Sequence, residues 1–421
     1  MSHAELLTVR PPRDRVLLGI VVLAAAIRAT YWLSKWNQQL LLNDSIYFSV
    51  QARQLALGHF FREVIVDQPG AEHGPLTSTL MAPFSFVDDY VRWQRVVTLV
   101  CGITLVWLIG RLGRRLGGRH LGWFAAGIAA IYPNLWLSDG LVMSESISML
   151  TVAAVFWFAL DAGERPGRRS AVTLGIALGL AALARSELVL LLPLILIWLA
   201  ICLRRDGLRI ARRVLPVATA AVLVMAPWLV FNLVRFEKPV LLTTNEGGVL
   251  MGANCDESYY GTGTGGWNLF CIIEGPELPA DEEPSVRAQR RRALGLDYAV
   301  DHVAELPRVV LARIGRSLDL YGVHDVIAGD IGEERPRLWV WAGVPAFWML
   351  AAAAPFGLRR ISRRQRWLLL LPVATVAFTT VVFYGSHRIR SSAEPSLVML
   401  AALATLPLVE RLVQRFGRNP T

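Results

Sequence analysis

Long apolar runs alternate with polar connectors along nearly the whole chain, a pattern that predicts a bundle of membrane-crossing helices. The runs are 16–34, 93–110, 121–137, 146–160, 171–184, 188–203, 214–234, 338–358, 367–384 and 397–409. A crossing takes about 20 apolar residues, so several are short and the count is about ten. The connectors alternate in charge. Every second one is arginine-rich: Arg111, Arg114, Arg115 and Arg119; Arg165, Arg168 and Arg169; Arg204, Arg205, Arg209, Arg212 and Arg213; Arg359, Arg360, Arg363, Arg364 and Arg366; and Arg411, Arg415 and Arg418. Basic loops stay on the cytoplasmic side, which predicts that both termini are cytoplasmic. Arg10, Arg13 and Arg15 precede a first run without a small-residue cleavage site, so that run reads as a retained anchor.

The opposite connectors carry the acids. The first, within 35–92, holds Asp44, Glu63, Asp67, Glu72, Asp88 and Asp89. Its mixed pattern over 45–57, stopped by Gly58, predicts a helix lying along the interface. A second piece, 76–86, follows Pro75. The chain divides into a membrane module 1–234, a small extracytoplasmic segment 235–337, and membrane helices with a tail, 338–421. Within 235–337, residues 241–245 read as strand-like and 285–321 as amphipathic helix broken at Pro307. Gly261, Gly263 and Gly266 fit G-x-G-x-x-G, but no dinucleotide-fold strand precedes them, and the run reads as a flexible lid loop.

Composition narrows the class further. Hydrophobic residues make up 54% and charged residues 18% of 421 positions, with a net charge of +10. Because the arginines sit in short clusters between apolar runs, the charge reads as topology rather than nucleic-acid binding. Arginine and alanine in excess of lysine suggest a GC-rich bacterial source. Cys101 and Cys202 fall within apolar runs, whereas Cys255 and Cys271 share one polar segment, where a disulfide would require an oxidising compartment. No Walker loop, H-E-x-x-H or C-x-x-C spacing is present, so neither ATP-driven transport nor a zinc site is supported.

Ionisable groups at a membrane boundary are costly and therefore functional candidates. Four outward groups stand out: Asp44; Glu145; Arg185 with Glu187; and His387-Arg388-Ile389-Arg390 followed by Glu394. Asp44 has two readings, the N-cap of the helix from Ser45 and a base at the lipid–water boundary. Glu145 has the structural reading of a helix cap, Arg185 and Glu187 that of an interfacial pair, and Arg388 and Arg390 that of snorkelling anchors. Arg28, inside the first run, either faces the bundle or snorkels outward. A divalent ion between Asp44 and Glu145 is a further use of those carboxylates.

In order and spacing these residues resemble the GT-C glycosyltransferases of the protein O-mannosyltransferase and aminoarabinose-transferase type. The resemblance rests on Asn43-Asp44-Ser45-Ile46-Tyr47, Glu72-His73-Gly74-Pro75-Leu76, Pro133 with Ser144-Glu145, Arg185-Ser186-Glu187, Thr244-Asn245-Glu246-Gly247-Gly248 and His387-Arg388-Ile389-Arg390. It implies an all-α polytopic bundle with interfacial helices on the outer face and inverting transfer of one sugar from a polyprenyl-phosphate donor. The acceptor would be a hydroxyl of a glycan, lipid or protein outside a bacterial plasma membrane. Asp44 then matches the catalytic base and Glu145 a second catalytic acid. Arg388, Arg390 and Arg185 match donor-phosphate contacts, and Tyr47, His73 and Asn245 substrate contacts. Ser45 stands where mannosyltransferases often have a second acid, and Gly74 replaces a proline. The rivals are a transporter or flippase of lipid-linked sugars and a non-catalytic scaffold.

Overall fold

The computed structural model describes residues 14–41, 43–204, 210–274, 279 and 281–416, with side chains to 406. Of the basic positions read above, Arg10, Arg13, Arg205, Arg209 and Arg418 lie outside the described residues, as do the side chains of Arg411 and Arg415.

In chain order the principal helices are α1 (Arg15–Ser34), α2 (Asp44–Ala56), α3 (Leu76–Met81), α4 (Tyr90–Ile131), α5 (Glu145–Glu164), α6 (Arg168–Ala184), α7 (Leu191–Arg204) and α8 (Ala211–Arg235). There follow α9 (Asn245–Ala253), α10 (Pro284–Asp301), α11 (Leu306–Ser317), α12 (Val323–Gly332), α13 (Arg337–Leu358), α14 (Arg363–Val382) and α15 (Glu394–Phe416). Among the described residues there is no β-sheet, and the only strand-like pairing is an isolated bridge between Arg62 and Pro69. The protein is an all-α, largely membrane-embedded bundle.

Among the described residues seven helical stretches are long and apolar enough to cross a membrane, where the sequence pattern gives about ten runs. The difference has physical causes. Runs 93–110 and 121–137 correspond mainly to α4, which doubles back at Gly117 and Gly118. Gly118 supplies the left-handed φ of +86° that the reversal requires. The two arms pack so closely that a Cβ at Gly113 would lie 2.9 Å from the Leu121 carbonyl oxygen. Run 171–184 is α6, whose 17 residues span about 25 Å, less than the hydrocarbon core.

Arg28 turns inward and is fully buried. Its Nε donates to Asp139 at 2.6 Å, and its Nη atoms donate to the carbonyls of Ala129 and Ala130, each at 3.1 Å. Asp139 also accepts from Ser146 at 2.6 Å. A buried charge is tolerated only when paired and hydrogen-bonded, so this cluster locks α1 and α4 to the start of α5, where Glu145 lies.

On the acidic side α2 begins at Asp44, and its N-cap is Asn43, whose side chain accepts from the Ser45 amide at 2.8 Å. Asp44 therefore is not the cap. The second interfacial piece is α3 followed by a 3₁₀ turn, Ala82–Phe84.

Two expectations for 235–337 are corrected. Residues 241–244 form an irregular segment, and Asn245 opens α9. Trp228 donates to the Leu242 carbonyl at 2.7 Å, Asn232 donates to that of Leu241 at 3.2 Å, and the Thr244 amide reaches Ala71 O at 2.8 Å. Side chains and loop thus satisfy backbone groups that a strand partner would otherwise take. The glycine run is pinned instead of free. Arg316 Nε donates to Thr264 O at 2.7 Å, and the Gly385 amide donates to Gly265 O at 3.0 Å.

Cys255 and Cys271 are joined in a disulfide with their Cα atoms 6.3 Å apart. Closing a loop of this length stabilises by about 3 kcal/mol in the chain-entropy model. Cys255→Ser should lower the thermal midpoint of the unreduced protein, and a reductant should then have little further effect. An unchanged midpoint would show that the bond contributes nothing to the fold.

Candidate active site

A cavity of about 500 Å³ opens where α2, the loop at Glu72–Gly74, the turn after α6, the segment before α9 and the end of α14 meet. One wall is charged, with Asp44, His73, Arg185 and Arg388; the other is apolar, with residues such as Leu242 and Phe378. The charged side also carries Glu72, Glu187, Glu246 and Arg292, and Arg185 Nε donates to Glu187 at 2.5 Å, so the cavity pairs a mixed-charge wall with an apolar one.

Arg388 is the hub. Its Nη2 lies 2.7 Å from Asp44 Oδ2, its Nε donates to Glu145 Oε1 at 2.8 Å, and its Nη1 lies 3.0 Å from Glu333 Oε1. One guanidinium thus meets three carboxylates from three separate parts of the chain. Burial works against charge on Asp44, but Arg388 and His73 outweigh it and hold the carboxyl well below the usual range. His73 Nε2 is 3.5 Å from Asp44 Oδ1. Burial disfavours the imidazolium, yet Asp44 and then Glu72 raise the His73 pKa above its ordinary value.

Of the other residues expected at the site, His73, Arg185 and Asn245 line the cavity. Glu145 is fully buried behind it, accepting from Arg185 Nη1 at 3.3 Å as well as from Arg388; this is not the contact pattern of a cap. Tyr47 does not line the cavity. Its hydroxyl accepts from the Glu72 amide at 2.8 Å, which positions the backbone that carries His73. Arg390 is turned away, donating to Asp319 at 2.8 Å and Glu394 at 2.9 Å, with its guanidinium 3.7 Å from the Phe347 ring centroid.

Sequence reasoning passed over Glu333, Arg335 and Tyr384. Arg335 Nη1 lies 3.0 Å from Glu333 Oε2, and Tyr384 lines the cavity. Burial pushes Glu333 up to about 7 despite Arg388 and Arg335. The signal was present: Glu333-Glu334-Arg335 borders the apolar stretch of α13 on the acidic side, the rule that singled out Arg388. His387 was seen only as part of a cluster. Its Nδ1 is 2.6 Å from Asp330, its Nε2 contacts Asp319, and it ties α12 to the turn carrying Arg388.

A divalent ion between Asp44 and Glu145 does not fit this arrangement, because the Arg388 guanidinium occupies the space between the two carboxylates. A separate metal-type grouping, Cys255, Glu257 and Cys271, has its donor atoms within 4.8 Å of one another. Its sulfurs are joined to each other, so it offers no thiolate while oxidised.

The same helix order and packing recur in a known enzyme. The oligosaccharyltransferase of Archaeoglobus fulgidus in its apo form superposes with a TM-score of 0.58 at 13% identity, over 96% of this chain and 52% of that one. The chain therefore shares the fold of that oligosaccharyltransferase. A complex of that archaeal enzyme with an inhibitory peptide and a dolichol-phosphate gives 0.56 at 14% identity, over 96% and 52% of the two chains. ArnT from Cupriavidus metallidurans bound to undecaprenyl phosphate gives 0.48 at 14%, over 96% and 81%. The chain spans about half the length of the archaeal oligosaccharyltransferase. The sequence profile described as dolichyl-phosphate-mannose-protein mannosyltransferase matches residues 72–231. No curated protein sequence is significantly similar to the chain.

Proposed function

We propose that this protein is a GT-C-type glycosyltransferase that moves one sugar from a polyprenyl-phosphate donor to an acceptor hydroxyl on the outer face of a bacterial plasma membrane, with inversion and with both termini cytoplasmic. The observation that carries this reading is the convergence of Asp44, His73, Arg185 and Arg388 on one cavity with an apolar wall. That the archaeal oligosaccharyltransferase has been captured with a dolichol-phosphate supports a lipid-phosphate donor.

In this reading the donor phosphate binds Arg388 and Arg185, whose planar forks match its oxygens. Phosphate and Asp44 compete for the Nη atoms of Arg388, so donor binding loosens the Asp44 contact and returns basicity to its carboxylate. Asp44 takes the proton of the acceptor hydroxyl as the oxygen attacks the anomeric carbon. The bond from that carbon to the phosphate oxygen breaks on the opposite face, and polyprenyl phosphate leaves with the electron pair, its charge met by both arginines.

The test uses the full chain in proteoliposomes with a radiolabelled polyprenyl-phosphate hexose. Acceptor-dependent release of free polyprenyl phosphate, with label moving to the acceptor, is expected. Movement of intact labelled lipid between leaflets without release would overturn the reading in favour of a flippase.

A further inference from the structure

A second, smaller pocket of about 70 Å³ opens beside the main cavity, bounded by Glu63, Glu72, Asn245, Gly248, Arg287 and Arg291. Glu72 and Asn245 line both spaces, so the two adjoin. Arg287 and Arg291, one helical turn apart, share a face of α10. Neighbouring arginines on that helix are engaged: Arg290 lies 2.9 Å from Glu282, and Arg292 is 3.9 Å from Glu246. Among the described residues, by contrast, none of the Glu63, Glu72, Arg287 and Arg291 side chains makes a hydrogen bond or a close ion pair, and Arg291 Nε is buried without a partner. Two carboxyls and two guanidiniums thus face one small space with their hydrogen-bonding capacity unspent.

The four side chains are half-buried, and one of their polar atoms, Arg291 Nε, is enclosed without a partner; buried polar groups are ordinarily satisfied, which makes this pocket a candidate for a polar ligand. The pocket offers carboxyl and guanidinium groups side by side, so its complement is rich in both donors and acceptors. The volume holds about two waters' worth of ligand, enough for the edge of a sugar ring and too little for a peptide or an acyl chain. Burial, and after it Glu72, pushes Glu63 up to about 7, where a carboxyl donates as well as accepts. Glu72 adjoins His73, the residue in contact with Asp44, so the pocket lies on the side of the base.

We propose that this side pocket is the acceptor subsite and that the acceptor is polyhydroxylated, a glycan presenting neighbouring hydroxyls beside the one that Asp44 deprotonates. The inference rests on the reading of Asp44 as base and donor phosphate at Arg388.

Gly248 provides a clean test. A Cβ there would lie 3.5 Å from Asn245 Oδ1 and 3.9 Å from Arg291 Nη1, ordinary contacts that let a larger side chain fill the pocket. At Gly247 the same atom would come within 2.1 Å of the Ala288 carbonyl oxygen, so that position cannot serve. The full-length protein in nanodiscs is given labelled polyprenyl-phosphate hexose and, separately, a methyl hexopyranoside, a serine-containing peptide or octanol as acceptor. Saturable stimulation of polyprenyl phosphate release by the methyl hexopyranoside is expected. Gly248→Leu and Arg291→Gln should each raise its KM about 10-fold or more while the donor KM stays within about twofold. The subsite is overturned by an unchanged acceptor KM, by an equal rise in donor KM, or by stimulation from peptide or octanol alone. A wild type that releases no polyprenyl phosphate with any acceptor overturns the proposed function itself.

Discussion

Asp44→Asn leaves a folded protein whose sugar transfer is slower by about 10²- to 10⁴-fold, the contribution of a positioned general base. The amide oxygen can keep the contact with Arg388, now 2.7 Å long at Oδ2, while the NH2 takes the place of Oδ1, 3.5 Å from His73 Nε2, so the α2 entry and the cavity should persist. The loss should fall on kcat, since the proton is taken only as the acceptor attacks. Asp44→Glu retains the charge but moves it by about one bond, and misplacement by about 1 Å can cost 10²-fold. Single-turnover release of polyprenyl phosphate, beside a thermal melt, measures both variants. Transfer by Asp44→Asn within threefold of wild type would remove Asp44 from catalysis.

Arg388→Ala is the more disruptive substitution. It leaves Asp44, Glu145 and Glu333 without their shared cation, and Glu145 is fully buried. Removing one partner of a buried ion pair costs about 3–5 kcal/mol, so the thermal midpoint should drop and donor binding should weaken together. The deficit should depend on pH. With its folded pKa near 7, above the ordinary 4.5, Glu333 favours the folded state when protonated, and that contribution is lost as pH rises from about 4.5 through about 7. Without Arg388, ionising Glu333 is harder still. Arg388→Ala should therefore lie closer to wild type in stability at pH 5.5 than at pH 8. A deficit equal at both values would mean that Glu333 does not depend on Arg388.

Much of the fold was legible because membrane burial writes itself into composition. An apolar run cannot be disguised in lipid, where every backbone group must be satisfied within a helix. Gly58 and Pro75 likewise marked the boundaries of α2 and α3 by local stereochemistry. Local pattern failed where a distant partner decided conformation. Residues 241–244 have strand-like side chains, but Trp228 and Asn232 claim their carbonyls. Two apolar runs belong to the two arms of α4 because the chain reverses within two residues, Gly117 and Gly118, whose φ/ψ are not helical, so the arginine-rich connector between the runs is taken up by the helical ends of the arms.

For the site, charge type and boundary position drew attention to Asp44, Glu145, Arg185 and Arg388 from sequence, since only a functional or paired ion repays its desolvation there. Which guanidinium meets which carboxylate was settled by packing. Arg388 and Arg390 are two residues apart and alike in sequence, yet on the short turn His387–Arg390 one points into the cavity and the other toward Asp319 and Glu394. Side chains two apart on a helical turn diverge widely; Arg388 is aimed by partners about 50 to 350 residues away in the chain, and Arg390 by Asp319, about 70 residues away, together with the nearby Glu394. Hydrophobic spacing therefore determined that this protein lives in a membrane, while only the three-dimensional arrangement decided which of its many charges share a cavity. Transfer free energy is local to each run, whereas ion pairing requires groups that contact one another only after the chain has folded.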